Sequence, residues 1–167
     1  MRRFPVEFPS LETDRLTLRQ VRIADLDRLR AIYGDPQVMR HASDPVFARA
    51  EHYVQTIEGM ARGFSADQAV EWGMARRSDD VLIGTVGLHN FRETVAEVGC
   101  LLAAAYWRQG FMREAVGAVQ AFAKERLGWA WPGSKPTSML AIRHRSPCSA
   151  HWATPWRSAH RSRQRCF

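Results

Sequence analysis

Apolar and polar positions alternate most clearly between residues 70 and 103. Val70-Glu-Trp-Gly-Met-Ala-Arg-Arg77 and Val81-Leu-Ile-Gly-Thr-Val-Gly-Leu-His-Asn-Phe91 read as two antiparallel strands, with Ser78-Asp79-Asp80 as the tight turn between them. A second reversal over Arg92 to Ala96 leads into Glu97-Val-Gly-Cys-Leu-Leu-Ala103, a buried third strand. The period then changes. Ala115, Val119, Phe122 and Ala123 share one stripe of a helix entered at Gly110 and running to Leu127, while Arg113, Lys124 and Arg126 face away from it. The pattern predicts a three-stranded meander feeding one amphipathic helix.

Upstream the elements are shorter. Leu11 to Gln20 contains a strand, with Leu16 and Leu18 on one face and Thr17 and Arg19 on the other. A helix starting at Ala24 or Asp25 carries Leu26, Leu29 and Ile32 or Tyr33 inward, and Gly34-Asp35-Pro36 stops it. A second helix begins near Pro36 and passes through Val38 and Met39 to His41. Asp44-Pro45 opens a third, with Phe47, Ala50, Tyr53 or Val54, and Ile57 at helical spacing, ending near Gly63.

The junction at Gly110 carries the first chemical signal. A helix entered from a glycine-bearing loop presents backbone N–H groups that have no intrahelical acceptor, and its macrodipole adds partial positive charge, so the turn suits an anion. Arg108 and Arg113 flank it. Taken alone, the same stretch is an ordinary strand-turn-helix connection with solvated arginines. The surrounding text narrows the choice.

"LIGTVGLHNF…AEVGCLLAAAYWRQGFMREAV", together with the opening "LETDRLTLRQVRIADLDRLRAIYGDPQVMRH", resembles the GNAT superfamily of acetyl-CoA-dependent N-acetyltransferases. It is nearest the RimJ/RimL-type branch, which acetylates N-terminal amines of ribosomal proteins. The resemblance covers roughly residues 9 to 128. It implies an α/β (α+β) fold: a mixed, mostly antiparallel sheet flanked by helices, the early helices forming one wall of the acceptor site. The family motif Gln/Arg-x-x-Gly-x-Gly/Ala falls here on Trp107, Gly110 and Met112, so only the central glycine fits the strict form.

The resemblance further implies that acetyl-CoA is the cosubstrate. Its pyrophosphate would lie along Arg108, Gln109, Gly110, Phe111, Met112 and Arg113, and its pantetheine beside Cys100, Leu101 and Leu102. An amine would attack the thioester directly, after a base or water chain removes the proton of the ammonium. Glu97 and His89 are the two candidate catalytic side chains. As plain structure, Glu97 is a solvated strand-end carboxylate and His89 a packed strand histidine. The acceptor implied is an amine, a ribosomal-protein N-terminus among the options, and a homodimer is compatible with the fold.

Composition changes the picture in one place. The chain has 167 residues, 46% hydrophobic and 25% charged, ordinary for one globular domain, and a formal charge of +7. Residues 1–126 hold 17 Lys and Arg against 17 Asp and Glu, a sum of zero, while residues 127–167 hold 7 basic and no acidic groups. The basicity therefore belongs to the tail, and nucleic acid is not the expected partner of the domain. No apolar run reaches the roughly 18 residues of a membrane span, and the N-terminus lacks a signal-peptide block, so the cytoplasm is the expected location. There is no Gly-x-Ser-x-Gly elbow, Walker loop, Cys-x-x-Cys pair or His-Glu-x-x-His helix. His144, Cys148 and His151 would share a helix face, but Ser-Pro147 interrupts it, and no metal is expected.

From residue 129 the family text stops. An Asn-x-x-Ser helix and a Leu-Gly-Phe/Tyr ending are replaced by Arg, Ser, His, Trp and Pro, with four of the six tryptophans at 129, 131, 152 and 156. Read one base out of frame, allowed codons from Ser134 to Trp156 can spell a run ending Leu-Gly-Ala-Leu-Gly-Tyr-Ala-Val, and the step His151-Trp152-Ala153 forces Leu-Gly whichever synonyms are used. The expected division is a GNAT core over 1–128 and an atypical basic tail over 129–167, either an out-of-frame reading of the family's C-terminal segment or a genuinely divergent tail. Two alternatives stand beside a protein N-terminal acetyltransferase. One is an enzyme for a small amine, a polyamine or an antibiotic. The other is a non-catalytic protein whose tail binds RNA through Arg157, Arg161, Arg163 and Arg165.

Overall fold

The computed structural model describes residues 3–127 apart from 41, 43, 93 and 94. The expectations for the tail, its alternative frame included, lie outside the described residues. Five strands run in sequence order across one sheet: β1 (Leu11–Glu12), β2 (Leu16–Arg19), β3 (Val70–Arg76), β4 (Leu82–Arg92) and β5 (Val95–Leu102). Every neighbouring pair is antiparallel. Between β2 and β3 stand α1 (Leu26–Tyr33), α2 (Pro36–Met39) and α3 (Ala50–Ser65), and α4 (Phe111–Arg126) follows β5.

The predicted meander and its helix are present with small differences at the ends. The reversal expected over Arg92 to Ala96 is tighter, because β4 runs to Arg92 and β5 begins at Val95. The expected strand over Leu11 to Gln20 is a hairpin of two short strands, its turn closed by Thr13, whose N–H donates to the Leu16 carbonyl and whose hydroxyl accepts the Leu16 N–H. The third helix begins at Ala50, six residues later than Asp44. Phe47 is the reason. Its ring stacks on Tyr33 with centroids 5.1 Å apart, its N–H donates to the Tyr33 carbonyl and its own carbonyl accepts from the Tyr53 hydroxyl at 2.7 Å. Those contacts hold the segment extended over α1.

Alternation divides the sheet into two faces. Val70, Trp72 and Met74 of β3, with Val86 and Leu88 of β4, Val98 and Leu102 of β5 and Leu16 and Leu18 of β2, pack against Phe111, Ala115, Val119 and Phe122 of α4. Leu16 and Leu18 are fully buried, each contributing on the order of 1.5–3 kcal/mol. On the opposite face α1, α2 and α3 cover the sheet with Leu29, Ile32, Tyr33, Val38, Met39, Tyr53, Ile57 and Met60. No helix among the described residues is long and apolar enough to cross a membrane.

One buried ion pair fastens the helical segment to the sheet. Arg19 is only 6% exposed and makes five hydrogen bonds: two to the Asp25 carboxylate at 2.9 Å, two to Asp80 and one to the Gln20 carbonyl. Asp25 also accepts the Arg22 N–H at 2.8 Å. Hydrogen bonds to Asp25 hold the guanidinium in its charged form against the pull of burial. Burial pushes the Asp25 carboxyl up, and the bonds from Arg19 and Arg22 overcome it, so its pKa lies below the ordinary carboxylate value.

Asp25→Asn leaves the buried guanidinium short of a charge, and the expected loss is about 3–5 kcal/mol in denaturant unfolding at neutral pH. A carboxylate whose folded pKa is depressed contributes fully above its unfolded pKa and loses that contribution as the pH falls through the folded value. Wild type and variant should therefore converge in stability in acid. A gap independent of pH would show that the pair contributes shape and not charge.

Candidate functional site

The segment joining β5 to α4 is shaped by two residues in the left-handed region, Arg108 at φ 60° and Gly110 at φ 83°. A single 3-10 turn over Ala104–Tyr106 leaves the strand, and Trp107 follows with its indole N–H donated to the Leu102 carbonyl at 2.7 Å. The first bond of α4 runs from the Glu114 N–H to the Gly110 carbonyl at 3.1 Å, so the N–H groups of Phe111, Met112 and Arg113 precede the helical ladder. The helix entered at Gly110 is thus present, and its first turn has the form of an anion site.

A bridge from β2 fixes this turn. Glu114 accepts from the Thr13 hydroxyl at 2.6 Å, the Arg15 N–H at 2.8 Å and the Arg15 guanidinium at 2.7 and 2.8 Å. Burial pushes its carboxyl up, but these donors overcome the effect and hold its pKa low. Arg15 also donates to the Gln109 carbonyl at 3.0 Å and lies over the Phe111 ring. Of the residues expected around acetyl-CoA, Arg108, Gln109, Gly110 and Arg113 are exposed and Met112 half-buried. Phe111 is 8% exposed with its ring in the core, so only its backbone can meet a phosphate. Cys100, Leu101 and Leu102 lie on β5, an edge strand among the described residues, with backbone groups directed away from β4. Leu102 is buried against α4, and burial raises the Cys100 thiol, with a further push from the charge of Glu71.

The register brings together the two candidate catalytic side chains. His89 of β4 pairs directly with Glu97 of β5, on the face that α1, α2 and α3 cover. Glu97 accepts the Asn90 side-chain amide at 2.8 Å, and Asn90 stands at φ 50° where the β4–β5 register shifts. His89 is buried, 3.6 Å from Glu71 of β3, whose side chain is itself only 12% exposed. Beside them the Tyr33 hydroxyl is 3.1 Å from the Thr85 hydroxyl. Burial raises the Tyr33 pKa well above its ordinary value, and the charges of Glu71 and Asp44 raise it further.

Sequence reasoning did not single out Glu71, Thr85 or Tyr33. The signal available was the period: counting by twos, Glu71 and Gly73 on one strand and Thr85, Gly87 and His89 on the next interrupt an otherwise apolar alternation. Among the described residues no cluster of three or more His, Cys, Asp and Glu could hold a metal ion.

An antiparallel sheet thus feeds a glycine turn and helix from an edge strand, with buried polar groups on the covered face, and the first turn of that helix is suited to an anionic group. Residues 15–139 match the family model of the acetyltransferase (GNAT) domain, and the chain belongs to that family. The uncharacterized N-acetyltransferase YoaA of Bacillus subtilis is 32% identical over 123 residues, 72% of this chain and 70% of that protein. The uncharacterized N-acetyltransferase p20 of Bacillus licheniformis is 30% identical over 64% of this chain and 61% of its own length. A solved structure from Vibrio cholerae, whose name assigns it to the ribosomal-protein-serine acetyltransferases, shares the fold with a TM-score of 0.60 and 24% identity over 81% of this chain and 82% of that one. RimL, an alpha-N-protein acetyltransferase of a ribosomal protein solved with coenzyme A, has a TM-score of 0.61 at 14% identity, covering 71% of this chain and 69% of its own. GNAT acetyltransferases use acetyl-CoA.

Gly110→Val would place a β-branched residue at φ 83°, a strained conformation, and crowd the backbone against an incoming phosphate. Acetyl-CoA affinity, measured by calorimetry on the full chain, is expected to fall tenfold or more. Undiminished affinity would remove this turn from the cofactor site.

Proposed function

We propose that the chain transfers the acetyl group of acetyl-CoA to a primary amine, and that the acceptor is a protein N-terminus of the kind the RimJ/RimL-type branch modifies. The observation that supports this most is the pairing of His89 with Glu97 on the covered face of a sheet whose next element is the Gly110 turn. Proton acceptors and a phosphate cradle then lie at opposite ends of one strand. The two neighbours named as ribosomal-protein acetyltransferases support the choice of acceptor.

In this reading the diphosphate meets the N–H groups from Gly110 to Arg113, with Arg108 and Arg113 adding charge. The pantetheine follows the outer edge of β5 past Leu102, Leu101 and Cys100. A β5 N–H then polarises the thioester carbonyl. The acceptor ammonium gives one proton to the His89–Glu97 pair, and its nitrogen attacks the carbonyl carbon. As the C–N bond forms and the C–S bond breaks, the second proton leaves with the sulfur as coenzyme A thiol.

Thiol release from acetyl-CoA, measured with a short peptide bearing a free N-terminal serine and separately with spermidine, tests the proposal. The peptide is expected to be the better acceptor. His89→Gln is expected to lower kcat about 10²–10⁴-fold, and Glu97→Gln to lower turnover far more than acetyl-CoA affinity. Turnover of spermidine alone would transfer the activity to small amines. Binding of acetyl-CoA without thiol release to any amine would make the domain a non-catalytic member.

A further inference from the structure

Glu71 has no part in the reading above, yet its position is unusual. It is the second residue of β3, between fully buried Val70 and Trp72, and its side chain is only 12% exposed. A carboxylate buried this far is tolerated only with compensating partners. Its register partner is Gly87, and the partner of Gly87 on the next strand is Gly99. This pair of glycines is what lets the His89 ring lie back along β4, over Gly87 and Gly99, where Glu71 reaches it from β3. A Cβ at Gly87 would stand 2.9 Å from His89 Nε2, and one at Gly99 would stand 3.1 Å from the same atom. The imidazole therefore rests across a bare patch of backbone two strands wide, with Nε2 3.6 Å from the Glu71 carboxylate.

We propose that Glu71 is a positioning residue for the transfer reaction, acting through His89, which is the group that takes the acceptor's proton. A carboxylate beside one ring nitrogen favours the proton there, fixes the ring's orientation and makes the imidazole a better base. The arrangement spans three strands: Glu71 orients, His89 accepts the proton and Glu97 faces His89 from the other side. Before attack one proton passes from the ammonium to His89, giving an imidazolium between two carboxylates. After the thiol has left, that proton returns to solvent, and the second ammonium proton has already gone to sulfur. Among the described residues, the charged and titratable groups around this pair are Glu71 from β3, Glu97 from β5 and Tyr33 from α1, with Asp44 from the connection before α3, and the Cys100 thiol of β5 also feels the Glu71 charge. Tyr53 of α3 is turned to the Phe47 carbonyl.

This inference rests on the acetyl-transfer reading, and the experiment separates the two. The full chain, labelled in histidine, is titrated by NMR as wild type, Glu71→Gln and Glu71→Asp. In parallel, kcat/KM is measured against pH with acetyl-CoA and the N-terminal-serine peptide. In Glu71→Gln the His89 titration midpoint is expected to drop by about one pH unit, the acid limb of kcat/KM to move with it, and kcat to fall. Glu71→Asp keeps the charge and is expected to restore most of the limb. A His89 midpoint unchanged in Glu71→Gln overturns the coupling. A shifted midpoint with an unmoved acid limb leaves Glu71 a structural partner only and overturns its role in the reaction. Absence of thiol release from wild type with every amine overturns the transfer reading, and this role with it.

Discussion

Every polar group of the site depends on the register of β4 between its two neighbours. Side chains alternate across a strand, so a slip of one residue would carry Thr85 and His89 into the α4 core and turn Val86 and Leu88 toward α1. Two unlike layers prevent it. On one face Trp72 is fully buried, its ring edge-on to Phe122 at 5.3 Å and its indole N–H held by the Pro9 carbonyl at 2.6 Å. On the other, Tyr33 reaches Thr85, a polar contact that only one register provides. The apolar layer supplies the stability and the polar one the uniqueness.

The α4 turn depends on a second long-range constraint of the same kind. Glu114 sits one turn into the helix, yet its carboxylate is occupied by Thr13 and Arg15 from the β1–β2 hairpin. Because Arg15 also holds the Gln109 carbonyl, the hairpin grips the helix and the loop that enters it. Anion binding by backbone N–H groups rewards this, since donors already fixed lose little freedom when the ligand arrives. A left-handed Arg108 next to a left-handed Gly110 is strain that such a grip can hold in place.

How much of this could be read from the residues follows from the range of the interactions. The meander and α4 were legible because strand and helix periods are local and strong there, and Gly110 because a helix start needs few neighbours to be seen. The start of α3 was not. Phe47 stands at helical spacing with Tyr53 and Ile57, but its ring belongs to Tyr33, fourteen residues upstream. Arg19 looked like an ordinary strand arginine until the fold brought Asp80 to it from the far turn of β3 and β4. Glu71 was hidden for the same reason. A single acidic residue in a strand commonly faces water, and nothing nearby in sequence says that helices lie over it or that His89 will stand against it.

The two carboxylates that flank His89 are held differently, and the difference fits distinct tasks. Glu97 is half-buried and bound by a side-chain amide from a bulged, left-handed Asn90, a neutral partner. Glu71 lies deeper, where water screens less and a charge acts more strongly on its neighbours. A cation approaching from the β5 side meets Glu97 before it can feel Glu71. In the proposed reaction the outer carboxylate would attract the ammonium, and the inner one would stabilise the imidazolium that its proton creates. An acceptor that arrives already neutral would need neither, so the cost of burying Glu71 makes chemical sense for an amine that is protonated at neutral pH.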